Sequence, residues 1–211
     1  MKPLSADLLQ DELLKAMAAR GGVKNFPAQA VLINEDDDSD SIYIIVKGRV
    51  KVYGSSATGR EIIYNTHGEG EYFGEMSLDD GPRSASVMTL EPTTCVVVTG
   101  ANVRDFLGSH PDFALHLIKK LILLVRRSTD SVKSLALEDV YTRVARVLRE
   151  LAQDENGRRV VTEKLTQQDI ADRVGASREM VSRIFKQLTQ GGYVALEGRR
   201  VVLLKNLPSG W

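Results

Sequence analysis

The sequence predicts an α+β protein: a strand-rich front half, one long helix, and a mixed back half of helices and short strands. Three observations predict it. Runs rich in Val, Ile, Tyr and Thr, broken by glycines, fill about residues 25–99; a stretch free of Gly and Pro with helical apolar spacing follows Pro111; helical and strand patterns alternate beyond residue 139. β-branched and aromatic residues suit a pleated surface, and an apolar period near 3.6 marks a helix. At 211 residues the chain can bury two cores. The expected division is 1–110, 111–137 and 138–211.

Leu4–Ala19 has helical apolar spacing and is expected to pack outside the front domain. Strands are expected at Ser41–Val46, Arg49–Tyr53, Glu61–Asn65, Ser84–Leu90 and Thr94–Thr99. The intervening glycines, among them Gly48, Gly54, Gly59, Gly68, Gly70, Gly74 and Gly81, supply turns, and this spacing argues for a β-sandwich or barrel. Asp112–Leu137 reads as a single helix carrying Phe113, Leu117, Leu121, Leu124, Val132 and Leu135, a seam expected to pack on a partner helix. Polar residues from Arg126 to Ser131 interrupt that seam; they either face solvent or meet something polar. A helix over Asp139–Ala152, a loop over Gln153–Arg159, a short strand, two helices and the strands Tyr193–Glu197 and Arg200–Leu204 follow, the last two turning at Gly198. That is the order of a winged helix-turn-helix.

Composition narrows the function. With 43% hydrophobic and 27% charged residues the chain is globular, and its longest apolar run, Leu121–Val125, falls far short of the roughly 18 residues that cross a bilayer. Met1–Gln10 lacks a signal-peptide pattern, and a single Cys95 can form neither an intrachain disulfide nor an iron–sulfur site, so a cytoplasmic location without a membrane partner is expected. Charge is balanced at 28 against 28, yet residues 1–108 carry 10 basic against 16 acidic side chains, while residues 138–211 carry 13 against 10. An acidic front and mildly basic back suit sensing at one end and polyanion binding at the other. His67, His110 and His116 lack metal-ligand spacing and an adjacent nucleophile, so neither an enzyme nor a metal site is expected. The acidic run Asp36–Asp40 hints at a calcium loop, but Ser41 stands where such a loop needs Gly and Lys47 where it needs Glu.

Two stretches carry chemistry. Thr166-Gln167-Gln168-Asp169 spells a capping box, Ser177 can cap the next helix, and Gly175 supplies the turn between them. Small Ala171 lets the helices approach, while Ile170, Val174, Val181, Ile184 and Leu188 fall on inner faces. Ser177, Arg178, Glu179, Ser182, Arg183 and Lys186 remain outward, with Thr166 and Gln167 at the start of the first helix. Arg can meet guanine O6 and N7 in bidentate fashion, worth about 1–3 kcal/mol of discrimination, and Glu can accept from cytosine N4. The second stretch runs from Gly70 to Ser86. Gly74, Glu75 and Met76 form a turn with free N–H groups, and Arg83 and the Ser84 hydroxyl can add charge-assisted bonds to a phosphate. Glu75 can accept from a ribose 2′-hydroxyl. In isolation, Arg83 and Glu75 also fit a plain surface ion pair.

Ala-Ser-Arg-Glu-Met-Val-Ser-Arg-Ile-Phe-Lys, residues 176–186, resembles the recognition helix of the cyclic AMP receptor protein (Crp/Fnr) family. The resemblance extends over essentially the whole chain, and residues 70–86 are similar to the phosphate-binding cassette of cyclic-nucleotide-binding domains. It implies an N-terminal β jelly-roll, a dimerisation helix and a C-terminal winged helix-turn-helix. It implies a transcription regulator that binds double-stranded DNA as a homodimer, with cyclic AMP as allosteric effector and RNA polymerase as partner. Arg178, Glu179 and Arg183 match residues that read a TGTGA-type half-site, and Ser128 and Thr129 match positions that meet the adenine across the dimer interface. Similar cassettes answer to cyclic di-GMP or to no nucleotide, and that alternative stays open here. The short 153–159 segment and the absence of acidic residues in Ser55–Gly59 depart from the family's polymerase-contacting surfaces.

Overall fold

The computed structural model describes residues 11–163, 165–198 and 200–208; the first part of the expected Leu4–Ala19 helix lies outside the described residues. The chain divides into two compact units. One takes in the chain up to Ser55 together with Ile63–Arg126, and the other takes in Ser56–Ile62 and the chain from Arg127 onward.

The front unit opens with α1 (Asp11–Ala18), β1 (Gly22–Phe26), β2 (Val31–Ile33), β3 (Ile42–Lys47) and β4 (Val50–Ser55). It continues with β5 (Glu61–His67), β6 (Tyr72–Phe73), β7 (Ser86–Thr89), β8 (Thr93–Val98) and α2 (Gly100–Ser109). Two four-stranded sheets result, ordered β1-β8-β3-β6 and β2-β7-β4-β5. Side chains alternate across a strand, so β3 and β8 serve two cores at once. Ile45 and Cys95 join Ile33, Val50, Phe73 and Val87 in one core. Ile42, Ile44, Val96 and Val98 point the other way and meet Leu14, Met17, Val103, Phe106, Phe113 and Leu117 of the helices.

The expected strands are present with ends shifted by a few residues, but β1, β2, β6 and α2 carry weak sequence signals. β1 is mostly exposed and contains a glycine, and β6 is two residues long, so neither has the alternation that marks a half-buried strand. Helix α2 holds Gly100, Asn102 and Gly108, all poor helix formers, and is secured by burial of Val103 and Phe106.

Helix α3 spans Pro111–Leu137. Its seam needs correcting. Phe113 and Leu117 are buried against the front unit's own core, with Leu121 packed partly against it, so they are unavailable to a partner helix. Val132 and Leu135 of the expected seam are exposed, and so are Leu115, Ile118, Ile122, Val125 and Leu137. Leu115, Ile118, Ile122, Val125, Thr129 and Val132 are spaced alternately by three and four positions, the heptad rhythm of a coiled-coil face. Over Phe113, Leu117 and Leu121 the expectation erred by one helical face, because every third or fourth position of this apolar helix is hydrophobic and periodicity alone cannot choose between two such stripes.

In the back unit, α4 (Val140–Leu151) is capped by Asp139, whose carboxylate accepts from Thr142 N at 2.7 Å. The expected loop at 153–159 is a correction too: β9 (Ala152–Glu155) and β10 (Arg158–Val161) form a hairpin. Asn156 and Gly157 both have positive φ, 57° and 77°, as a two-residue hairpin turn requires, and Asn-Gly is the strongest local spelling of that turn. Helices α5 (Gln167–Val174) and α6 (Arg178–Gln190) follow, then β11 (Val194–Glu197) and β12 (Arg200–Leu203). The strands form one sheet ordered β11-β12-β10-β9. Val144, Leu148, Val161, Ile170, Val174, Val181, Ile184, Phe185, Leu188 and Val201 fill the core between helices and sheet.

Candidate functional site

The candidate effector cassette forms where β6 ends. Gly74 has φ 92°, and a Cβ there would lie 2.8 Å from the Ser41 carbonyl oxygen and 3.0 Å from an Arg83 guanidinium nitrogen, so glycine is required twice over. The chain then makes a 3-10 turn, Glu75–Asp79, with Glu75 and Ser77 buried and Met76 exposed. Arg83 returns beneath it, only 4% exposed. Its Nε donates to Ser39 Oγ at 2.8 Å, one terminal nitrogen donates to Gly74 O at 2.8 Å and Ser77 Oγ at 2.9 Å, and the other donates to Ser41 O at 2.7 Å. Four of its five N–H groups are thereby used, and burial lowers its pKa despite the neighbouring Tyr43, Asp40, Asp37 and Glu75. Arg83 is therefore the clasp of the cassette as well as its cation. Ser84 is exposed, its hydroxyl making a single weak contact of 3.5 Å with Met76 Sδ.

Glu75 does not pair with Arg83. Its Oε1 lies 3.1 Å from Lys120 Nζ of α3, and Lys120 also donates to the Tyr72 carbonyl at 2.5 Å with Nζ 3.5 Å from the Tyr72 ring centroid. Burial lowers the Lys120 pKa, while Glu75 and then Glu71 raise it. Sequence reasoning missed Lys120 because it is one of two adjacent lysines on a helix, a pattern that reads as a solvated face; only packing turns it inward. Gly74, Glu75, Met76, Arg83 and Ser84 thus lie together. Ser128 and Thr129 are exposed positions of α3 in the other compact unit.

The acidic run Asp36–Asp40 is a turn in which Asp37 accepts from Asn34 and Asp40 pairs with Arg104. Among the described residues no three His, Cys, Asp or Glu side chains are grouped to hold a metal ion. Burial pushes the Cys95 thiol up to about 11, which keeps it protonated and inert.

The second site is built on α5 and α6. Thr166 Oγ1 accepts from Asp169 N at 3.1 Å while the Asp169 carboxylate accepts from Thr166 N at 2.7 Å, the reciprocal capping box. Gly175, at φ 64°, makes the left-handed turn, and Ser177 caps α6 by accepting from Met180 N at 3.3 Å. Val181, Ile184, Phe185 and Leu188 anchor the inner face of α6 in the core. Ser177, Arg178, Glu179, Ser182, Arg183 and Lys186 are all exposed, as is Thr166, with Gln167 half-buried. Residues four apart share a face, so Arg178, Ser182 and Lys186 form one row and Glu179 and Arg183 the next. The Glu179 carboxyl is held below its usual pKa by its own backbone N–H and by Ser177, so it is an acceptor at neutral pH.

Other cations nearby are already used. Arg158 pairs with Glu197 and Arg200 with Glu155 across the sheet, and Arg173 pairs with Glu163 at 2.8 Å. Arg143, which the sequence reading also missed, donates to Glu138 O at 2.6 Å and to Val174 O at 2.8 Å. It ties the end of α3 to the end of α5, beside the Gly175 turn.

A glycine turn clasped by a buried arginine in a β-roll, a long helix with an exposed heptad stripe, and a capped helix-turn-helix with a cationic outer face are the parts of a DNA-binding regulator that carries a candidate sensing domain. The comparisons with known proteins agree. The family model for the cyclic nucleotide-binding domain matches residues 23–110, and that for the Crp-like helix-turn-helix domain matches residues 142–209. A CRP-like cAMP-activated global transcriptional regulator of Mycobacterium tuberculosis is 34% identical over 184 residues, 85% of this chain and 82% of that protein. A cAMP-activated global transcriptional regulator of Haemophilus influenzae is 28% identical over 202 residues, 92% of this chain and 89% of that one. Among solved structures, the c-di-GMP-responsive global regulator CLP of Xanthomonas campestris superposes with TM-score 0.82 at 22% identity, covering 92% of this chain and 99% of that chain. A CooA variant from Carboxydothermus hydrogenoformans superposes with TM-score 0.79 at 20% identity, covering 91% and 87%, and at these identities both show the fold alone. The chain belongs to the Crp family: it is a DNA-binding transcription regulator with a cyclic-nucleotide-binding domain, and not an enzyme. No helix among the described residues is long and apolar enough to cross a membrane.

Proposed function

We propose that this regulator is switched by cyclic AMP and binds palindromic DNA with TGTGA-like half-sites as a homodimer. The observation that carries the DNA reading is α6 itself, one face locked in the core and the other offering Arg178, Glu179, Ser182, Arg183 and Lys186 to solvent. Arg178 and Arg183 suit guanine edges and Glu179 a cytosine amine, while Thr166, Gln167 and Ser177, at two helix N-termini, suit phosphates. The heptad stripe Leu115, Ile118, Ile122, Val125, Thr129 and Val132 supports pairing along residues 111–137, between an effector domain over 1–110 and a DNA-binding domain over 138–211. Pairing would place two recognition helices about 34–36 Å apart, one DNA turn. RNA polymerase is the expected partner on the promoter.

For the effector, Gly74, Met76, Arg83 and Ser84 take the phosphate and Glu75 the ribose hydroxyl, with Ser128 and Thr129 meeting the base. Cyclic AMP is preferred over cyclic di-GMP because the relative named as cAMP-activated shares 34% identity, against 22% for the c-di-GMP-responsive neighbour. Driving such a switch from 1:99 to 99:1 requires about 5.5 kcal/mol of differential binding, within reach of two ligands each making charged hydrogen bonds of roughly 1.5–3 kcal/mol. The test is a mobility shift on TGTGA-palindrome DNA with cyclic AMP, cyclic GMP, cyclic di-GMP or no nucleotide. Cyclic AMP alone is expected to tighten the shift, and Arg178→Ala to remove sequence preference while keeping salt-dependent nonspecific binding. A response to cyclic di-GMP alone, or no specific shift under any condition, overturns the effector or the DNA reading respectively.

A further inference from the structure

Glu75 has a partner for which the proposed effector contacts give no reason. Its carboxylate and the Lys120 ammonium form an ion pair in which the side chains are 6% and 13% exposed. Two charges removed from water at this depth are retained only when each satisfies the other, because a lone buried carboxylate or ammonium neutralises instead. Lys120 is also fixed from a second side, donating to the Tyr72 carbonyl at 2.5 Å and lying over the Tyr72 ring. Tyr72 comes two residues before Gly74, so this anchor belongs to the strand that leads into the cassette. A carboxylate offers two oxygens and about four acceptor positions. Lys120 takes Oε1, which leaves Oε2 for a donor arriving with a ligand.

Resting on the effector reading above, we propose that Lys120 is a positioning and specificity-determining residue of the cassette: it holds the Glu75 carboxylate turned so that its second oxygen accepts from an effector hydroxyl. Lys120 itself does not touch the ligand. Without it, the carboxylate is free to rotate, and the site loses its means of telling a ribose from a deoxyribose.

The test is calorimetric titration of the full chain with cyclic AMP and with 2′-deoxy cyclic AMP, for the native protein, Lys120→Arg, Lys120→Met and Glu75→Gln. The native protein is expected to favour the ribonucleotide about tenfold or more, the ratio set by one charged hydrogen bond. Lys120→Met and Glu75→Gln are expected to bring that ratio to within about threefold of unity, leaving the affinity for the deoxy analogue nearly unchanged, whereas Lys120→Arg restores most of the preference. Equal loss of affinity for both nucleotides in Lys120→Met would mean that Lys120 only supports the fold, and overturns the proposal. A native protein that binds cyclic AMP without preferring the hydroxyl also overturns it. Binding of neither nucleotide by the native protein removes the effector reading itself. Should Lys120→Met fail to fold, Lys120→Gln, a neutral donor, takes its place with the same expected loss of preference.

Discussion

Replacing Arg83 by leucine will destabilise the front unit before any ligand is added. The guanidinium is 4% exposed and donates to two carbonyl oxygens, Gly74 and Ser41, and two hydroxyls, Ser39 and Ser77. The hydroxyls can rotate to other partners; the carbonyls are fixed by the backbone. Leaving the two carbonyls without their donor costs about 1–3 kcal/mol each, about 4 together, and the apolar burial of leucine returns about 1.5–3, so the net loss is roughly 1–3 kcal/mol. For a chain of this size each kcal/mol moves Tm by about 2–4 °C, which gives a fall of roughly 2–12 °C. Thermal unfolding followed by circular dichroism, without nucleotide, measures it. A Tm that does not fall would refute the clasp assigned to Arg83. The consequence for effector studies is direct: loss of nucleotide response in Arg83→Leu would report a collapsed cassette as readily as a missing phosphate contact. Ser84→Ala is the cleaner probe, since its exposed hydroxyl makes one weak contact and its removal is expected to cost under about 0.5 kcal/mol.

Three other outcomes are expected. If the proposed pairing along α3 holds, the native protein will sediment as a dimer and Ile122→Arg, at an exposed position of the α3 stripe, as a monomer with a native far-ultraviolet spectrum; equal sedimentation coefficients would remove α3 as the interface. Gly175→Ala will lower stability by about 1–2 kcal/mol, because φ is 64° and a Cβ there lies 3.0 Å from Leu135, and denaturant titration will read it. Glu71 is lowered in pKa: burial alone would raise it, but His67 and the Gly68 N–H, the latter at 2.7 Å, outweigh that. A depressed carboxyl contributes stability that is present above its unfolded pKa and lost as pH falls through the folded one. The Tm difference between native protein and Glu71→Gln is therefore expected to be full near pH 6 and to shrink below about pH 4; a difference independent of pH would contradict the assignment.

Local chemistry was legible in the sequence wherever it is written in adjacent residues. The capping box at Thr166–Asp169, the Ser177 cap, the Gly175 turn and the outward face of α6 need only residues within one or two helical turns, and all are present as read. The strand runs of β3, β4, β5, β7 and β8 and the length of α3 were equally plain, because a period of two or 3.6 survives whatever packs against it. The Asn156-Gly157 hairpin was written there too, and reading the segment as a loop overlooked it. Tertiary packing alone decided the rest. Which of two apolar stripes on α3 faces the front core depends on where Tyr72 and Phe106 stand, since Phe113 packs on both rings. That Arg83 is a clasp depends on Ser39 and Ser41, more than forty residues away in sequence. Lys120 meets Glu75 across 45 positions, and no spacing rule links a lysine on a helix to a carboxylate in a turn. Burial turns two ordinary surface-type charges into a pair that must be satisfied together, and burial is a property of the assembled fold.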